Sequence, residues 1–292
     1  MIMNGSKICI GDQMHPRGVL DKDVYERIGQ VYAQIEEREP WCKASKKQAD
    51  IGIFMVNGPT DKDFTPNEGA LRMMLELHHQ FDFIDCEDDL QKYKLLILPD
   101  NARIDSKMAE KISAYLAQGG KLIASYRSGF DAASQKFVIK ELGVEYIETN
   151  PYIPSYIVLE DSFRGDLPAL EYAMYQESVS VKAIAGTQIL AQEGRPYFNR
   201  SYDRFCSHRH FPFECLTGNA SIVRNGNVIY IANQVFSEYI ELGTRLNRDI
   251  IEKCINLLLD APLIRTNLPS SAEVTYRIQQ DKTIVHILHY IA

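Results

Sequence analysis

Cys206, His208, His210 and Cys215 lie in one short segment and carry the donor atoms of a zinc site. Alternate side chains of an extended segment point the same way, so Cys206, His208 and His210 could face a single ion. Their spacing matches no standard zinc finger or knuckle, and no metal is expected. The same segment holds Arg200, Tyr202, Arg204, Phe205, Arg209, Phe211 and Phe213. Long irregular loops in compact domains usually bind or touch something, and aromatic residues with arginine suit an interface. The readings are therefore a subunit contact or sugar-pocket wall using Arg204, His208, Arg209 and His210, a packed structural loop, or a metal site. A contact surface requires Phe205, Phe211 and Phe213 to be exposed.

A second polar loop runs from Asp12 to Gly18. There His15 could hydrogen-bond a sugar hydroxyl, Arg17 could orient a carboxylate, and Asp12 could line the same site. A loop stapled by Pro16 and Gly18 explains these residues equally well. His78-His79 closes a helix and reads as a solvated cap, since cations are favoured at helix carboxyl ends. The strand-end loops contain no glycine-rich phosphate cradle, and no cofactor is expected.

The elements that must position these residues centre on 94–129. Leu95-Leu96-Ile97-Leu98 is a continuous apolar run stopped by Pro99, the pattern of a strand buried on both faces. Asp105 or Ser106 caps a helix with Met108, Ile112, Tyr115 and Leu116 at helical spacing, and Gly119-Gly120 ends it. Lys121–Ser125 is a second strand, so the unit is βαβ with parallel strands and a right-handed crossover. Before it, 7–12 reads as a strand, and an amphipathic helix with Val24, Ile28, Val31, Tyr32 and Ile35 on one face is closed by Pro40-Trp41. Residues 43–50 read as a linker, 51–56 as a strand, 57–65 as a loop, 66–80 as a helix and 81–85 as a strand. After the unit come a helix over 132–142, a β-rich insertion on the sheet edge over 144–194, and an irregular stretch to Gly218. Asn225-Gly226 predicts a two-residue hairpin. A helix over 246–259 and a final hairpin over 273–289 complete the chain. One strand with one helix cannot bury its own apolar faces, nor is a lone hairpin stable in water.

The 292 residues suffice for one large or two medium domains. With 32 Lys and Arg against 39 Asp and Glu, the net charge of −7 argues against a nucleic-acid partner. Apolar runs fall short of the roughly twenty residues of a membrane span, so no membrane partner is expected. Six cysteines without CxxC spacing read as free thiols in a reducing, cytoplasmic setting.

The segment LLILPDNARIDSKMAEKISAYLAQGGKLIASYRSG resembles the class I glutamine-amidotransferase-like domain of some glycoside hydrolases, in particular the trimerisation domain of family 42 β-galactosidases. IGDQMHPRGVLDKDVYERIGQVYAQIEEREPW is similar to the last βα unit of the (β/α)8 barrel in those enzymes. The stretch from Arg224 to Tyr290 resembles the same glycosidase-like proteins, where the hairpin begins a C-terminal β-sandwich. The resemblance implies an α/β fold: a flavodoxin-like parallel sheet flanked by helices, preceded by a barrel unit and followed by a β-hairpin. The implied division is 1–42, 43–262 and 263–292. It implies the accessory portion of a β-galactosidase-like glycoside hydrolase, self-associating as a dimer or trimer, with an N-terminal barrel and a carbohydrate as partners. Class I amidotransferases place a Cys nucleophile at a sharp strand-to-helix turn. The matching turn here, Ala124 to Gly129, has no cysteine, and Tyr126 or Arg127 occupies the elbow. A retaining glycosidase needs two carboxylates about 5 Å apart, and the strands that supply them in the family precede this segment. No catalytic residue is therefore assigned, and the chain alone is expected to be inactive. A small-molecule enzyme on a flavodoxin-like fold and a non-catalytic carbohydrate-binding module are the alternatives.

Overall fold

The computed structural model describes residues 2–13, 15–55, 64–208 and 211–290. Asp21 caps the first helix, α1 (Lys22–Cys42), its carboxylate accepting from the N–H groups of Asp23 and Val24. The helix continues through Pro40 and Trp41, contrary to expectation. Pro40 stands in its last turn, so the missing donor costs a single i→i−4 bond, to Glu36 O, close to where the helix ends. No residue of α1 is buried, so its apolar stripe is left largely exposed. The strand expected at 7–12 does not form. It has no neighbouring strand to complete its backbone hydrogen bonds, and the extended, mostly exposed segment leaves them to water. The expected linker contributes a short strand, β1 (Lys46–Lys47).

The central sheet begins with β2 (Ile51–Phe54). After a segment outside the described residues comes α2 (Thr65–Glu76), which ends before the expected boundary because His78 takes φ +60. β3 (Phe81–Ile84), β4 (Leu95–Leu98), α3 (Ser106–Ala117) and β5 (Lys121–Ser125) follow as the apolar patterning predicts. Asp105 caps α3 by accepting from the Met108 N–H at 2.7 Å. The strands β3, β2, β4 and β5 lie side by side and all parallel, with Ile51 opposite Leu95 and Leu95 opposite Lys121.

The helix expected over 132–142 is absent. In its place stand a small hairpin, β6 (Phe130–Asp131) with β7 (Lys136–Phe137), and one 3-10 turn ended by Gly143 at φ +75. Asp131 folds the tip by accepting from the N–H groups of Ala133 and Ser134. Phe130 and Phe137 meet edge-on at 5.3 Å and pack on Tyr146 and Tyr230. These aromatic contacts outweigh the modest helix propensity of the intervening residues.

The β-rich stretch is woven into the sheet itself and is not a separate edge insertion. β8 (Val144–Thr149), β9 (Ser155–Leu159), the short α4 (Asp161–Arg164), β10 (Glu171–Met174), β11 (Val179–Ala183) and β12 (Gln188–Pro196) lead to the long β13 (Phe213–Asn225). β13 turns at Gly226, φ +58, into β14 (Val228–Ile231), which returns parallel to β5. Among the described residues eleven strands share this sheet, ordered β10-β9-β12-β13-β14-β5-β4-β2-β3, with β11 and β8 joined through β13. Two helices follow, α5 (Val235–Leu242), which the sequence did not announce, and α6 (Arg245–Leu258).

Alternation along the strands divides the core. Leu95, Ile97, Ile51 and Ile53 face α2, α5 and α6 on one side. Leu96, Leu98, Leu122 and Ala124 face α3 and the aromatic hairpin on the other. Burying such a side chain contributes about 1.5–3 kcal/mol, so both faces of the sheet are strongly held. At Gly69 a Cβ would lie 2.0 Å from the Phe236 carbonyl, so only glycine lets α2 approach α5 this closely.

The chain ends in β15 (Ala272–Gln279) and β16 (Lys282–His289), and β1 completes a three-stranded sheet with them. Buried Arg277 ties this sheet to the N-terminal segment by donating to the Ser45 hydroxyl and carbonyl, each at 2.7 Å. Gln80 docks it on the central sheet, donating to Val274 O and accepting from Tyr276 N, both at 2.9 Å. No disulfide forms among the described residues, which include all six cysteines. No helix of the described residues is long and apolar enough to cross a membrane.

Candidate functional site

The carboxyl ends of parallel strands are where α/β sheets hold ligands, and two non-glycine residues with positive φ stand there. Tyr126 follows β5 and takes φ +48, and Asp100 follows β4 at φ +33. A bulky residue adopts this left-handed region only when its surroundings enforce it. The Tyr126 N–H donates to Ile231 O at 2.7 Å, and its carbonyl accepts from the buried Tyr230 hydroxyl. Its own phenol donates to the Glu177 carboxylate. Burial and then that hydrogen bond hold the phenol well above its ordinary range, so it stays a protonated donor.

Arg127 covers this arrangement. Its guanidinium sits 5.1 Å from the Tyr126 ring centre, within cation–π range. One terminal nitrogen donates to Thr149 Oγ1 at 2.7 Å and lies 3.4 Å from Glu177. The turn thus presents a phenol and a cation paired to a carboxylate; neither Tyr126 nor Arg127 offers an acyl nucleophile.

Asp100 is wholly buried and has a different task. One carboxylate oxygen accepts from Ser125 Oγ at 2.8 Å, the other from Ser237 N at 2.8 Å and Ser237 Oγ at 2.7 Å. The cap residue of α5, Gln234, makes no side-chain cap bond. Asp100 therefore supplies, from the neighbouring strand, the acceptor that a helix N-terminus needs. Burial raises its carboxyl above the usual range, while the Ser237 and Ser125 donors oppose the rise. Glu238 is similar: burial raises it, against hydrogen bonds from Gln176 N and Tyr175 N at 3.0 and 2.7 Å.

The remaining expected residues lie apart from this cluster. Asp12, His15 and Arg17 sit on the exposed N-terminal segment, where Asp12 accepts from Gln13 N and His15 Nδ1 accepts from Arg17 N at 3.1 Å. Arg204 and His208 are exposed on the connection between β12 and β13, Arg204 lying 3.9 Å from Asp203. Arg209 and His210 fall outside the described residues. Of the three aromatics expected on that surface, Phe205 is exposed, but Phe211 is buried against Phe198 and Phe213 is half-buried against Tyr156. Their inward turn has a physical source: Tyr156 donates its hydroxyl to Phe211 O, drawing the segment onto β9. His78 is also no solvated cap. It is buried with Nε2 3.2 Å from Pro269 O, and burial depresses neighbouring His79 to about 4. No group of three or more metal-binding side chains occurs among the described residues.

The sequence reading missed Glu177, Thr149 and Asp100. Asp100 carried a signal, a carboxylate directly after a buried strand and its proline. Glu177 and Thr149 carried none, since they come from loop and strand ends that only folding brings together. Two grooves lie away from the cluster, one of about 730 Å³ between Met3, Trp41 and β16, the other of about 450 Å³ between α2 and Ser270–Glu273.

The fold has close counterparts among known proteins. Residues 71–143 match the β-galactosidase trimerisation domain. This segment holds β3, β4, α3, β5 and the Tyr126 turn. Over 99% of its length the chain superposes on α-L-fucosidase isoenzyme 2 from Paenibacillus thiaminolyticus, with 32% identity and a TM-score of 0.91, covering 45% of that enzyme. It shares its fold with the β-galactosidase of Rahnella sp. R3 at 18% identity, TM-score 0.68, over 94% of this chain and 40% of that one. The β-galactosidase of Bacillus circulans sp. alkalophilus gives 16%, 0.67 and the same coverages. The chain therefore spans less than half the length of each of these enzymes. A search of curated proteins finds no match. The expected resemblance to the C-terminal part of family 42-type glycoside hydrolases is thus found, with the α-L-fucosidase as a further similar structure.

Proposed function

We propose that this chain is the accessory, self-associating portion of a glycoside hydrolase and does not itself carry the catalytic carboxylates. The observation that carries the proposal is coverage: nearly the whole chain aligns, at 32% identity, to 45% of an α-L-fucosidase. In this reading 1–42 closes a (β/α)8 barrel, 43–262 is an amidotransferase-like unit on a flavodoxin-like sheet, and 263–292 opens a β-domain. The unburied apolar stripe of α1 is the surface a barrel would cover. Asp12, His15 and Arg17 then stand on the barrel side that meets a carbohydrate. Arg204, His208, Arg209 and His210 belong to a contact between copies. Tyr126 and Arg127 fill the amidotransferase elbow with groups unable to form a thioester, so no cofactor and no acyl chemistry are assigned. The setting proposed is cytoplasmic, with neither nucleic acid nor membrane as partner.

Activity assays test this. The chain should hydrolyse none of the nitrophenyl glycosides of galactose, fucose, glucose and arabinose, and should release no ammonia from glutamine. Turnover of any of these that one point substitution in the chain abolishes would overturn the proposal.

A further inference from the structure

Two exposed surfaces of opposite chemistry lie on the central sheet, one beyond its interior strands β12 and β13 and one at its β3 edge. The first is the connection between β12 and β13. Antiparallel β13 pairs with β14 through residues 222–225, so its residues 213–220 run past the carboxyl end of the parallel strands. The connection at that end bears Tyr202, fully exposed, with Phe205 67% and Tyr197 59% exposed, beside exposed Arg200 and Arg204. Asp203 is the acid within this group.

The second surface is β3, a terminal strand of this sheet. Its face shows Phe83, an exposed aromatic, and its carboxyl end runs into Asp85-Cys86-Glu87-Asp88-Asp89, all exposed. Lys111 donates to the carbonyls of Cys86 and Asp88, and Lys47 and Lys92 pair with Asp82 of β3 at 3.2 and 3.1 Å, so three lysines stand among the five acids Asp82, Asp85, Glu87, Asp88 and Asp89. Six inter-strand steps, on the order of 30 Å, separate the two surfaces, and both stand at the carboxyl end of the sheet.

Resting on the self-association proposed above, we infer that the arm between β12 and β13 of one copy docks on the β3 edge and acidic loop of the next. Aromatic rings with arginines meet an exposed phenylalanine with carboxylates, a complementarity of both shape class and charge. The two patches are distinct, so they pair either twice across a two-fold axis in a dimer or once per copy around a ring.

Charge reversal tests the contact in the full chain. The arm variant carries Arg200→Glu and Arg204→Glu; the loop variant carries Asp85→Lys, Glu87→Lys and Asp88→Lys. All five side chains are exposed, and circular dichroism checks that each variant keeps the fold. Sedimentation should show association weakened about tenfold or more in either variant and restored when both sets are combined. The unmodified chain should also associate more weakly in about 1 M than in about 0.05 M salt. Should a reversal variant misfold, Tyr202→Ser with Phe205→Ser replaces it and must likewise weaken association. Association that ignores both reversals, or arm loss that the loop change does not rescue, overturns this contact while self-association stands. An unmodified chain that remains monomeric removes both.

Discussion

Asp100 and Tyr126 are adjacent strand-end residues in left-handed conformations, and both are fixed by hydrogen bonds that run between elements. Replacing Asp100 by alanine leaves the Ser237 N–H and the Ser125 hydroxyl without an acceptor in a buried setting, a cost of about 2–4 kcal/mol. Asparagine keeps an acceptor for Ser237 and tolerates the backbone conformation, so Asp100→Asn should lose less than half as much. Urea midpoints read by circular dichroism measure both; equal losses would show that the carboxylate's second oxygen matters as much as its first. A second residue sets an acid limit. Burial foremost, with repulsion from His78 and Arg265 and partial relief from Asp50, lowers His79 from 6.5 to about 4. The unfolded chain therefore binds more protons between these values, and the stability from neutral His79 is lost as pH falls from about 6.5 towards 4. At about 1.36 kcal/mol per pKa unit the loss is on the order of 3 kcal/mol. His79→Gln should flatten the stability profile over that window, and an unchanged profile would contradict the assignment.

At the scale of elements, the sequence was legible where local pattern and tertiary need agree. The unit β4–α3–β5 was readable because an apolar run, a capping aspartate and a glycine pair each mark a boundary. The turn at Asn225-Gly226 was readable for the same reason. Three elements were not. The strand over 7–12 has the right composition but no partner strand. Residues 132–142 contain good helix formers, yet Phe130 and Phe137 gain more by meeting across a hairpin. α5 starts without a cap of its own, because Asp100, far away in sequence, provides one. The same rule divides the site: the Tyr126 elbow could be placed from its strand and its glycine, whereas Glu177 and Thr149 reach it only through long-range pairing. On the β12–β13 connection the aromatics were visible, but which of them turn inward depended on Tyr156 of β9.

The whole molecule shows apolar surface at its N-terminal helix and an aromatic, basic arm across the sheet from an acidic edge. Each feature fits the self-associating chain proposed above. Arg277 and Gln80 hold the flanking segments against the central sheet, so the unit that would associate includes both ends of the chain. The most direct measurement is the molar mass of the purified chain by light scattering across a micromolar concentration series. The account predicts two or three times the 33.3 kDa of one chain. A mass of one chain at every concentration would contradict it.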